Sequence, residues 1–177
     1  GGTPSSEKAA TYLTARFEAM GLQTRVTRDS EVPAYEPVFT ADVWVNGKKH
    51  GPLKGAWPLH GSPALKGRFE LSLEPRQKAA FLSGETLPRR MKQRVPLVVT
   101  SRYSTRGGDY TSVGRAPRSL VRDGTAVLGI GRSVHETLTE LVQNERVEIA
   151  VELEVHNSMG APRTVLATLP GKRRDRH

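Results

Sequence analysis

Residues 146–155, RVEIAVELEV, alternate without a break. Val147, Ile149, Val151, Leu153 and Val155 fall on one side, and Glu148, Glu152 and Glu154 on the other. Period-two alternation is the mark of a strand that buries one face and wets the other, as strands of antiparallel sheets do. A chain carrying it must supply a sheet with a covered side. Residues 37–45, PVFTADVWV, repeat the pattern: Phe39, Ala41, Val43 and Val45 oppose Thr40, Asp42 and Trp44. Asn46-Gly47 follows at once, the preferred pair for a two-residue hairpin turn. Further strands are expected near 23–28, 68–73 and 95–100. GTAVLGIG (124–131) reads as a buried strand, and residues 164–169 as a last one that Pro170-Gly171 stops. Turn residues at 157–162 should separate that strand from the alternating one.

Two helices stand out. Residues 4–20 have Thr3 as a cap, Pro4 at the first helical position and Gly21 for a left-handed stop. Ala10, Leu13, Phe17 and Met20 form one face. The second helix should run over 134–143, with Ser133 and Glu136 as a capping box. Residues 51–67 read as an irregular loop rich in Gly and Pro, and 102–123 as a long polar one.

The chain has 177 residues and a formal net charge of +9. Residues 68–132 carry 13 Lys/Arg against 5 Asp/Glu, and 172–177 add +3. Such a surface can attract nucleic acid. However, 19 of the 27 basic residues are Arg scattered through loops, with few aromatics among them for base stacking. Nucleic acid is the disfavoured partner. No apolar run approaches the roughly 20 residues of a membrane helix. The absence of cysteine excludes disulfides, thiolate zinc sites and a cysteine nucleophile.

No catalytic, cofactor-binding or metal-binding residue is assigned. The histidines are His50, His60, His135, His156 and His177. His135-Glu136 opens like the H-E-x-x-H zinc helix, but Thr139 stands where the second His belongs. Gly129-Ile130-Gly131 is half a dinucleotide fingerprint, with Val134 in the third glycine's place. Its expected job is close packing between strand and helix. Ser133 and His135 lie at a helix start with no nucleophile elbow around the serine. Glu152 and Glu154 share a strand face, where exposure to solvent is the expectation.

Four segments resemble a known family. Residues 2–22, G-T-P-S-S-E-K-A-A-x-Y-L-x-x-x-F-x-x-x-G-L, resemble the first helix of a family of zinc-dependent aminopeptidases. That family includes aminopeptidase Y, glutamate carboxypeptidase II and the transferrin receptor. R-T-V-L-A-T-L-P-G (163–171) is similar to the strand that opens the family's catalytic sheet. Between them, L-K-G-R-F-E-L-S (65–72) and G-T-A-V-L-G-I-G-R-S-V-H-E-T-L (124–138) are similar to parts of its protease-associated (PA) insertion. R-Q-K-A-A (76–80) departs from the insertion's small-residue segment.

The resemblance implies an α+β chain in three parts. Residues 1–28 would be the helix and strand of an α/β peptidase domain. Residues 29–156 would be a β-rich PA-like insertion with one or two helices, and 157–177 the first strand of the catalytic sheet plus a charged tail. It further implies a parent that hydrolyses peptides with two zinc ions, whose ligands lie downstream of this chain. The chain alone would be inactive. Its opening would be an interior cut, and it would be the front part of a larger protein. Its partners would be a peptide or protein substrate and the downstream catalytic domain, in an extracellular or periplasmic setting. The alternatives are a stand-alone interaction module and, less favoured, a basic nucleic-acid-binding domain.

Overall fold

The computed structural model describes residues 3–88, 91–112, 114–169 and 171. It is α+β, as the sequence implies. In chain order the elements are α1 (Pro4–Ala19), β1 (Gln23–Arg28), β2 (Val32–Val45), β3 (Lys48–Pro52), β4 (Trp57–Pro58), β5 (Leu65–Ser72) and β6 (Ala80–Ser83). There follow β7 (Leu97–Thr100), α2 (Arg118–Arg122), β8 (Ala126–Gly129), α3 (Arg132–Asn144), β9 (Val147–Gly160) and β10 (Arg163–Thr168). They form two compact units, Pro37–Val155 and Gly1–Glu36 with His156–His177.

The larger unit is built on a mixed eight-stranded sheet in the order β3-β2-β9-β5-β6-β7-β8-β4. β5, β6, β7 and β8 run parallel, and β9 pairs antiparallel with β5, Ile149 opposite Phe69. All four residues of β7 and of β8 are buried. Both faces of these strands are therefore covered, which explains why 97–100 and 126–129 read as unbroken apolar runs. On one face Leu82, Leu97, Val99 and Leu128 join Ile149 and Val151 of β9 and Leu138 of α3. On the other, Val98 and Val127 pack with Leu59, Val95 and Leu120 of α2. α3 presents Val134, Leu138, Leu141 and Val142 to the sheet, the i, i+4, i+7, i+8 stripe of an amphipathic helix. The expected hairpin turn is present, with φ of +50° at Asn46 and +77° at Gly47.

The smaller unit has little core. α1 is capped by Thr3, whose Oγ1 accepts from the Ser6 amide at 3.3 Å, and it ends at Gly21 with φ +78°. β1 and β10 pair antiparallel as a two-stranded sheet, Val26 opposite Val165. Ala10 is the one buried side chain of α1. On its expected apolar face Leu13 is 42% exposed and Met20 69%. Val26 and Leu166 in the two strands are exposed as well.

The structure corrects several readings. β9 runs on to Gly160, through the break expected at 157–162. Glu148, expected to face water, is buried. Arg68 Nε stands 3.5 Å and Arg146 Nη2 3.4 Å from its carboxylate, which is how a buried charge is tolerated. The stretch 102–123 is not all loop, since α2 closes it and buries Leu120. The four-residue β6 was not anticipated. Pro170 and the charged tail 172–177 lie outside the described residues.

Ile149, a fully buried residue of β9, should cost about 2–5 kcal/mol when changed to Ala. Val38, 56% exposed on β2, should change stability by no more than about 0.5 kcal/mol on the same substitution. Urea denaturation of the two variants, followed by tryptophan fluorescence, checks the contrast.

Candidate functional site

Open parallel sheets place ligands outside the carboxyl ends of their strands. Here that end of β7 and β8 is filled by the protein's own chain. The loop over residues 101–112 folds across it on three glycines. A Cβ at Gly131 would stand 2.2 Å from the Gly108 carbonyl oxygen, and one at Gly129 2.3 Å from Thr111 Oγ1. A Cβ at Gly55 would stand 2.2 Å from the Asp109 carbonyl oxygen. The half fingerprint Gly129-Ile130-Gly131 thus does serve close packing, but against this loop.

The same loop occupies the start of α3, where free amides could otherwise have received an anion. The Arg132 amide donates to Ser104 Oγ at 2.9 Å and the Ser133 amide to the Gly108 carbonyl at 3.0 Å. The expected capping box does not form. The N-cap is Gly131, with no side-chain cap hydrogen bond. Ser133 instead donates its hydroxyl to the Gly108 carbonyl at 2.8 Å, with Asp109 Oδ1 at 3.2 Å. Its work is to hold the loop down.

The histidines are scattered. His50 is exposed on β3, and His60 bridges to Arg115 in a loop. His156 is exposed on β9, and His177 lies outside the described residues. Among the described residues no three His, Asp or Glu side chains gather into a group that could hold a metal ion. The described residues thus bring together no donor set for a zinc centre. His135, half-buried on α3 beside Gly84, has a buried Nε2 without a hydrogen-bond partner among the described residues. Burial lowers its pKa from the ordinary 6.5, against a smaller upward pull from Glu136. Glu152 and Glu154 are both exposed, and Glu152 pairs across the strands with Lys66, whose pKa it raises.

What the larger unit does offer is a groove of about 300 Å³ between the β2–β3 hairpin and α3. Val43, Leu53, Val134, Leu138 and Leu141 line it, together with His50, Lys54 and Thr137. Apolar walls with few polar groups are the usual make-up of a binding groove. Sequence periodicity places Val134, Leu138 and Leu141 on one helix face. The opening left beside the hairpin depends on how far β3 stands from α3, which no local pattern reports.

No family model and no curated protein sequence matches the chain. Solved structures do. Over 98% of its length the chain is similar to an aminopeptidase from Aneurinibacillus sp. strain AM-1, with a TM-score of 0.50 and 15% identity. Over 98% it is also similar to a zinc aminopeptidase from Bacillus subtilis, with a TM-score of 0.50 and 13% identity. The chain spans 45% and 43% of those two proteins. At this identity the likeness is one of fold.

Gly131→Ala should destabilise by about 1–3 kcal/mol, because the new methyl meets backbone that cannot step aside. Gly107→Ala, with nothing within 4 Å, should be neutral within about 0.5 kcal/mol. Thermal denaturation of the pair checks this. His135 makes a second prediction. Its folded pKa lies below its unfolded one, so the unfolded chain takes up the proton first as pH falls through 6.5. The stability present above 6.5 should decline below it, and His135→Phe should flatten that part of the pH–stability curve.

Proposed function

We propose that this chain is the non-catalytic front portion of a zinc-dependent exopeptidase of the aminopeptidase type. Pro37–Val155 would be a protease-associated insertion that shapes substrate access or protein contacts. The flanking unit would be the outer helix and strands of the catalytic domain, with the zinc ligands beyond residue 177. The observation that carries the reading is fold similarity over 98% of the chain to an aminopeptidase of which it spans 45%. The smaller unit supports it. α1, the β1–β10 ribbon and the ends of β2 and β9 leave Leu13, Met20, Val26 and Leu166 exposed, which suits packing against a larger sheet. The substrate would be a peptide or protein met outside the cell or in the periplasm.

Hydrolysis of an aminoacyl p-nitroanilide with added zinc tests the reading. The 177-residue chain should be inactive, and the product of the full reading frame active and inhibited by a chelator. A full-length product that neither cleaves the substrate nor binds zinc would overturn the reading in favour of a stand-alone interaction module. Activity in the 177-residue chain would place a metal site here and overturn it equally.

A further inference from the structure

The groove between the β2–β3 hairpin and α3 has a charge character that its apolar lining does not require. The hairpin's second strand and the residues after it read KKHGPLK (48–54), three lysines and a histidine with no acid among them. Asp42 takes Lys49, at 2.8 Å. Lys48 and Lys54 have no carboxylate partner among the described residues, and no carboxylate lines the groove. On α3 the side chains that line it are Val134, Thr137, Leu138 and Leu141, and Glu136 is not among them. An apolar trough is thus flanked on its hairpin side by Lys48 and Lys54, neither paired with a carboxylate of the described residues.

Three occupants can be weighed. An added strand on β3 is opposed by the lysines on that edge, by Pro52, which has no amide to give, and by the register shift between Val43 and Trp44. Nucleic acid would want a broad aromatic platform, and no Phe, Tyr or Trp lines the groove. A volume of about 300 Å³ is at the lower limit for a whole small ligand, but ample for one or two apolar side chains. A peptide that seats an apolar side chain between helix and hairpin, with flanking carboxylates, meets both halves of the surface.

The geometry points to a docking groove for an acidic peptide segment of a partner protein, with an apolar residue seated against Leu53, Val134, Leu138 and Leu141 and a carboxylate on Lys54. This inference stands independently of the peptidase reading, since it uses the larger unit's surface alone.

Fluorescence anisotropy with a labelled ten-residue peptide of alternating leucine and glutamate tests it, beside two control peptides carrying glutamine or lysine in place of glutamate. The glutamate peptide should bind, and the other two at least about threefold more weakly, an effect of the size that partly exposed charges give. Lys54→Glu should weaken binding by a similar factor, and Thr137→Arg should abolish it by filling the trough. Both positions are exposed, so unchanged melting temperatures would show the fold intact. Three results would overturn the inference: equal binding of the three peptides, binding indifferent to both variants, or displacement of the peptide by oligothymidylate at stoichiometric concentration. A monomer–dimer equilibrium abolished by Thr137→Arg would also overturn it, making a second copy of the chain the occupant.

Discussion

β7 and β8 cannot have either face open to water. Leu97, Val98, Val99, Ala126, Val127 and Leu128 are each fully buried, three from each strand, with side chains alternating between two layers. Everything in the larger unit follows from covering both sides. The return from β7 to β8 must cross one face, and α2 does so with Leu120. The return from β8 must cross the other, and α3 does so with Leu138, in the same layer as Ile149 and Val151 of β9. A parallel pair needs such crossovers, whereas a hairpin does not. The long 101–117 connection is the consequence. It passes over the strand ends, and Gly55, Gly129 and Gly131 let its backbone come close. The cost is functional: the place where an open sheet would receive a ligand is taken by Gly108, Asp109 and Thr111.

The smaller unit lacks this constraint, and the difference is physical. A two-stranded ribbon and one helix leave most of their apolar side chains in contact with water. Ala10, Ala34 and Ala161 are its buried apolar side chains among the described residues, and none is large. Leu13, Met20, Val26 and Leu166 form the apolar material of a core that these elements cannot close by themselves. The apolar groove on the larger unit and the sparse core of the smaller one are two distinct properties, and they call for two distinct explanations.

What the sequence made legible was local. The alternation in 146–155 placed β9, Asn46-Gly47 placed the hairpin, and Thr3, Pro4 and Gly21 bounded α1 within a residue. The misses are long-range. β6 is four residues whose strand character comes from Leu71 and Leu97 on either side, 9 and 17 residues from Ala80. Ser133 and Glu136 have capping-box spacing, but Gly108, 25 residues away, claims the serine hydroxyl. Glu148 sits on the polar side of its strand and is still buried, because Arg68 and Arg146 close over it. Of the candidate site, the helix over 134–143 was legible. The trough beside it was not, because it depends on the spacing of two elements.

The central proposal is that α1, β1 and β10 pack on a sheet supplied by a longer protein of which this chain would be part. Amide hydrogen exchange measures it most directly, comparing the 177-residue chain as a monomer with the full-length product. The account predicts weak protection of Pro4–Ala19, Gln23–Arg28 and Arg163–Thr168 in the short chain, strong protection of the same segments in the long one, and little change in β7 and β8. Strong and equal protection of α1, β1 and β10 in both would contradict it, because the smaller unit would then be stable without a partner.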